Sequence, residues 1–88
     1  MNIDAFARFF DDLYMMIEVF DPYAIITSSR NELTLQTTIA ITLSNYPYSE
    51  KFVLDDKYIK ETNNPAYEIA NKFWDNVERA KEKANESK

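Results

Sequence analysis

A chain of 88 residues without a single glycine has few ways to turn. Each backbone position that needs a positive φ must be filled by a residue carrying a Cβ, and asparagine does this at least cost because its short side chain bonds locally. The same absence closes the phosphate-cradling loops, whose glycines let the backbone approach a ligand. Histidine and cysteine are missing too, so the usual proton shuttle near neutral pH, thiolate chemistry and cysteine-bound zinc are closed as well. The expectation is a protein that is not an enzyme, binds no cofactor and holds no metal.

The length supports one domain spanning residues 1–88, since a second core would bury too little surface. An apolar fraction of 45% with 15% aromatics is enough to drive folding outside a charged C-terminal end, expected to fray over residues 80–88. No cysteine means no disulfide, and neither a secretory leader nor a long apolar run is present, so a cytoplasmic protein is expected.

The net charge of −5 sits in one half of the chain. Residues 1–50 carry Asp4, Asp11, Asp12, Glu18, Asp21, Glu32 and Glu50 against Arg8 and Arg30, whereas the acids and bases of residues 51–88 balance. Such a distribution disfavours direct contact with nucleic acid or an anionic membrane and favours a protein with a basic surface as partner.

From Ile3 to about Phe20 the spacing predicts a helix whose main apolar stripe is Ile3, Phe6, Phe10, Leu13, Ile17 and Phe20. Phe9, Tyr14, Met15, Met16 and Val19 fall outside that stripe, so the apolar arc is wider than one sheet face covers. Asp21-Pro22 ends the helix. Tyr23–Ser29 and Leu33–Leu43 read as strands joined by a turn at Ser29-Arg30-Asn31-Glu32, with Asn31 the expected bearer of any positive φ. Leu33, Leu35, Thr37, Ile39, Ile41 and Leu43 should face the core, and Thr34, Gln36, Thr38, Ala40 and Thr42 should face outward. After Asn45-Tyr46-Pro47-Tyr48 a third strand is expected around Lys51–Leu54, then a polar connection from Asp55 to Asn63. Asn64-Pro65 opens a last helix, an N-cap followed by proline at the first helical position, whose stripe runs through Ala66, Ile69, Ala70, Phe73, Val77, Ala80 and Ala84. Glu68 with Lys72 and Asp75 with Arg79 are spaced to pair across one turn. The predicted fold is α+β: an N-terminal helix, a three-stranded antiparallel meander and a long C-terminal helix in a two-layer sandwich.

Few constellations carry chemistry. Asp11 and Asp12, adjacent on a helix, point about 100° apart and cannot share a ligand sphere, and Asp55-Asp56 lies in no calcium-type loop. Ser28, Ser29 and Ser44 have no histidine base and no Ser-x-x-Lys arrangement. Tyr46 and Tyr48 at a proline turn could offer contact area or fold back over the sheet edge. The Thr34, Gln36, Thr38 and Thr42 face could be solvated or receive a partner. Trp74, with Tyr67 seven residues earlier, either closes the core edge or anchors an interface.

The leading reading is a non-enzymatic protein-binding domain whose Asp4, Asp11, Asp12, Glu18 and Asp21 stand in for phosphates on a basic partner, helped by Tyr46 and Tyr48. In size, acidity and fold pattern the chain resembles the small proteins that phages and mobile elements use against host defence, of the anti-CRISPR and anti-restriction type. The likeness is one of general character over the whole chain and transfers no residue; it implies an inhibitor that blocks a nucleic-acid-binding site. The alternative is a homodimer or larger structural assembly formed through helix 1, with Phe9, Met15, Met16 and Val19 at the contact.

Overall fold

In a computed structural model, which describes residues 3–86, the chain runs α1 (Ile3–Glu18), β1 (Ile25–Asn31), β2 (Gln36–Thr42), β3 (Ser49–Asp55), α2 (Asp56–Glu61) and α3 (Pro65–Glu86). The strands form an antiparallel meander in the order β1-β2-β3. Register pairs Ile26 with Ile41, Ser28 with Ile39 and Arg30 with Thr37 across the first ladder, and Ile39 with Phe52 and Thr37 with Leu54 across the second. Partners in register share a face. One face is therefore the core side, with Ile26, Thr37, Ile39, Ile41, Phe52 and Leu54 buried, and the other is the outward side of Gln36, Thr38, Ala40 and Thr42. The helices cover the core side: Tyr14 of α1 reaches the Ile26 carbonyl, and Asn76 of α3 reaches Glu50 on β3. The α+β two-layer arrangement matches the one predicted from sequence.

Where α1 meets the core, the stripe differs from the predicted one. Phe9, Leu13 and Ile17, four apart, are fully enclosed together with Ile69, Phe73 and Val77 of α3, and Phe9 is only 2% exposed. Phe20, expected in the stripe, is 65% exposed. The helix packs against both the sheet and α3, so its buried arc is rotated by roughly 30° from the predicted stripe, keeping Leu13 and Ile17 but taking in Phe9 and leaving out Phe20. It also stops at Glu18. Asp21 then begins a turn closed by the Ala24 amide on the Asp21 carbonyl, with Pro22 supplying the preset φ of its second position.

The β1–β2 hairpin corrects a second expectation. The strands end at Asn31 and start again at Gln36, which leaves Leu33 and Leu35 in the loop rather than on the core face. Leu33 is 97% exposed. Asn31 does organise the turn, accepting the Leu33 and Thr34 amides on Oδ1 at 2.9 and 3.2 Å, but Leu35 is the residue with positive φ, at 56°. Its carbonyl in turn accepts the Asp56 amide at 3.1 Å, tying the hairpin to the start of α2.

That short helix replaces the predicted polar connection. Asp56 in its first turn and Lys60 in its last complement the helix dipole, and Ile59 is buried. A two-turn helix is marginal alone. Here the Arg30 guanidinium clamps Asp56 with two 2.7 Å hydrogen bonds, which hold the Asp56 carboxyl below its ordinary range and the guanidinium above its own. At α3 the Asn64-Pro65 start is as predicted. Asn64, at φ 58°, caps the helix with Oδ1 on the Tyr67 amide at 3.4 Å. The helix is continuous through Ala80 to Glu86. Glu68 takes the Tyr58 hydroxyl at 2.9 Å, and Arg30 forms ion pairs with both Glu32 and Asp56.

Candidate functional site

The residues singled out as partner-binding divide into three groups. Asp11 and Glu18 are exposed and Asp12 is half-buried, all on α1 beyond the Phe9-Leu13-Ile17 stripe. Asp4 belongs to the first turn of the same helix, and its side chain lies outside the described residues. On a helix Asp4, Asp11 and Glu18 recur every seven positions and so follow one line. No ion pair reaches Asp11, Asp12 or Glu18 among the described residues.

Asp21 is a different kind of group. It is 1% exposed, and its carboxylate accepts the Ser44 amide at 2.7 Å, the Asn45 and Tyr23 amides at 3.2 Å each, and the Ser44 hydroxyl. The Ser44 hydroxyl leads in holding its pKa below the ordinary carboxylate value, against the opposing effect of burial, and the three backbone amides add to it. Asp21 is therefore a clasp between the end of α1 and the β2–β3 loop, and it cannot stand in for an exposed phosphate. Asn45 reinforces the clasp by donating Nδ2 to the Phe20 carbonyl at 3.2 Å.

The Tyr46-Pro47-Tyr48 turn folds back. All its peptide bonds are trans, the Tyr48 amide closes on the Tyr46 carbonyl at 2.8 Å, and both rings are half-buried against the core. Tyr48 stacks edge-on against Phe73 at 5.7 Å and donates its hydroxyl to Glu50 at 2.6 Å. Burial, then the Glu50 contact, pushes its pKa up to about 12. Tyr46 sits beneath Lys81, whose Nζ is 5.2 Å from the ring centroid. These tyrosines fasten the loop to α3.

The four candidates for self-association divide as well. Phe9 is core, because α1 turns it towards the sheet and α3, so it drops out. Met15 and Val19 are 67% and 74% exposed, and Met16 is half-buried. Val19 and Met16, which helical spacing groups with Phe20, meet residues of α3 that periodicity along one helix does not supply. Together with Phe20, Tyr67, Ala70, Asn71 and Trp74 they line a shallow, open groove between α1 and α3 of about 300 Å3. Asp12, Met15, Met16 and Val19 line a second depression of about 200 Å3 that continues it along α1. Phe20 leans edge-on against Trp74 at 5.3 Å, and Trp74 against Phe73 at 5.1 Å. The Trp74 indole nitrogen is buried without a hydrogen-bond partner. The Trp74–Tyr67 spacing is the sequence signal for this groove; Phe20 carries none, because periodicity alone assigns it to the core.

The paired carboxylates have separate duties. Asp55 accepts Gln36 Nε2 at 3.0 Å while Asp56 is held by Arg30, and among the described residues no group of three or more acidic side chains could hold a metal ion. No helix among the described residues is long and apolar enough to cross a membrane. No protein-family model matches the chain, and no curated protein or solved structure matches it significantly.

Proposed function

We propose that the chain is a non-enzymatic, cytoplasmic protein-binding domain that uses the outward face of α1 to engage a basic surface on another protein, in the manner of a phage-type inhibitor covering a nucleic-acid-binding site. The observation that supports this reading is the run of carboxylates at Asp11, Asp12 and Glu18, none of which forms an ion pair among the described residues, although Arg8 stands one turn before Asp12. Unpaired surface carboxylates on one helix project a negative field that steers a basic partner and fixes its orientation. Asp21 and the two turn tyrosines are not part of it. The reading is tested by capturing partners from host lysate at low and high salt with the wild-type chain and an Asp11→Lys, Asp12→Lys, Glu18→Lys variant. A partner held at low salt, released at high salt and lost from the variant supports it; capture that ignores both salt and charge reversal counts against it.

The exposed Met15 and Val19 favour a second reading, self-association through α1. It predicts a dimer in sedimentation that Met15→Asp dissociates.

A further inference from the structure

The groove between α1 and α3 asks for an occupant of its own. Val19, Phe20 and Tyr67 are large apolar side chains left in water on its walls, and Met15 extends them along α1. The groove runs beside α1 from Asp12 to Phe20, roughly 12 Å at the helical rise, or about two turns. Its α1 side is mainly acidic: Asp12 lines it, and Asp11 and Glu18 are exposed on the helix beside Met15, with Arg8 one turn before Asp12.

We infer that this groove receives one amphipathic helix of the partner, its apolar side chains against Met16, Val19, Phe20 and Trp74 and its lysines or arginines over Asp11, Asp12 and Glu18. The inference rests on the reading above, in which the partner is basic, and adds what form the contact takes. Three observations favour this occupant. An open depression leaves a small molecule mostly in water, whereas a helix lays a row of side chains along it. A second copy of the chain is disfavoured by charge: a two-fold pairing of α1 centred on Met15 sets Glu18 of one copy against Asp12 of the other. Finally, the seam combines the flexible Met15 and Met16 with the aromatic Phe20, Tyr67 and Trp74, and methionines adapt to a helix face without demanding one fixed shape.

Trp74 is the single tryptophan of the chain and stands in the groove wall, so its fluorescence reports occupancy directly. Three probes separate the outcomes: a peptide of about 15 leucines and lysines with leucines at helical spacing, the same composition with strict alternation, and polylysine. The expected result is binding of the helical peptide with a shifted Trp74 emission, weakened roughly tenfold or more by Val19→Asp and by Asp12→Lys, and much weaker binding of the other two. Val19 is 74% exposed, so Val19→Asp should fold, and Tyr67→Ser provides a second groove variant on the other wall. If polylysine binds as well as the helical peptide and Val19→Asp and Tyr67→Ser change nothing, the groove inference fails while the acidic-face reading survives. The groove inference also fails, with the acidic-face reading intact, if no peptide binds but lysate capture is still lost on charge reversal. Failure of the peptides and of capture together overturns both. A chain that sediments as a dimer dissociated by Val19→Asp places a second copy in the groove and overturns the inference.

Discussion

Replacing Phe9 with alanine should cost the fold much of its stability, although the sequence alone makes Phe9 look like a surface contact. Its ring is 2% exposed and packs edge-on against Phe10 at 5.8 Å, within the cluster that includes Leu13, Ile17 and Phe73. Removing a buried phenylalanine side chain loses its transfer free energy and leaves a cavity, together about 3–5 kcal/mol. A domain of 88 residues has a total stability of roughly 4–13 kcal/mol, so the loss is a large share of it. With an unfolding entropy of about 2.1 cal/mol/K per residue, 1 kcal/mol moves Tm by roughly 5 °C, and Phe9→Ala should lower it by about 16–27 °C. Met15→Ala and Val19→Ala, on the same helix but in water, should change stability by no more than about 0.5 kcal/mol, under about 3 °C. Thermal unfolding followed by circular dichroism at 222 nm measures all three. A Phe9→Ala shift below about 5 °C, with helicity intact, would mean that α1 is rotated about its axis and that the groove described above is wrongly placed.

Leu35→Gly should be neutral or stabilising by up to about 1 kcal/mol, because Leu35 is half exposed and holds a left-handed conformation that glycine adopts freely; a destabilisation above about 1 kcal/mol in urea unfolding would show that its side chain matters more than its φ. Asp21 has a lowered folded pKa, so the stability it contributes is present above the unfolded value near 3.8 and is lost as pH falls through the folded one; Asp21→Asn should be less stable at pH 7 and show a flatter loss of stability below pH 4, read by urea midpoints across that range. Tyr48 and Tyr58 are raised to about 12, so their contribution is intact below pH 10 and disappears as pH climbs from 10 towards 12; absorbance at 295 nm should show a late ionising step that shrinks in Tyr48→Phe and in Tyr58→Phe, and an unchanged titration in both variants would contradict the hydroxyl contacts to Glu50 and Glu68.

Much of the fold is legible along the chain. The alternation through Thr37, Ile39, Ile41 and Leu43 identifies the central strand and its buried face, and Asn64-Pro65 marks the start of α3 to the residue, because each signal depends on neighbours a few positions apart. Other elements depend on distant partners. Leu33 and Leu35 continue the same alternation past the end of the strand, and only the pairing of Asn31 with Gln36 shows that they lie in a loop. Ile59 sits within a polar stretch too short to announce a helix, and α2 forms because Arg30, far away in sequence, grips Asp56.

The candidate site divides along the same line. Composition determined that the chain has no nucleophile–histidine pair and no glycine-rich phosphate loop, since these are counts of residue types, and the order of its charges made the first half acidic. Which carboxylates face water was decided by tertiary structure: Asp11 and Asp21 are the same residue type ten positions apart, yet one is exposed on α1 and the other is closed beneath Ser44 and Asn45. The groove is likewise a product of docking, because Val19 and Trp74 are 55 positions apart in the numbering and become neighbours only when α1 and α3 pack on one face of the sheet. Periodicity specifies how wide the apolar arc of a helix is; which part of that arc its neighbours leave uncovered depends on where they sit.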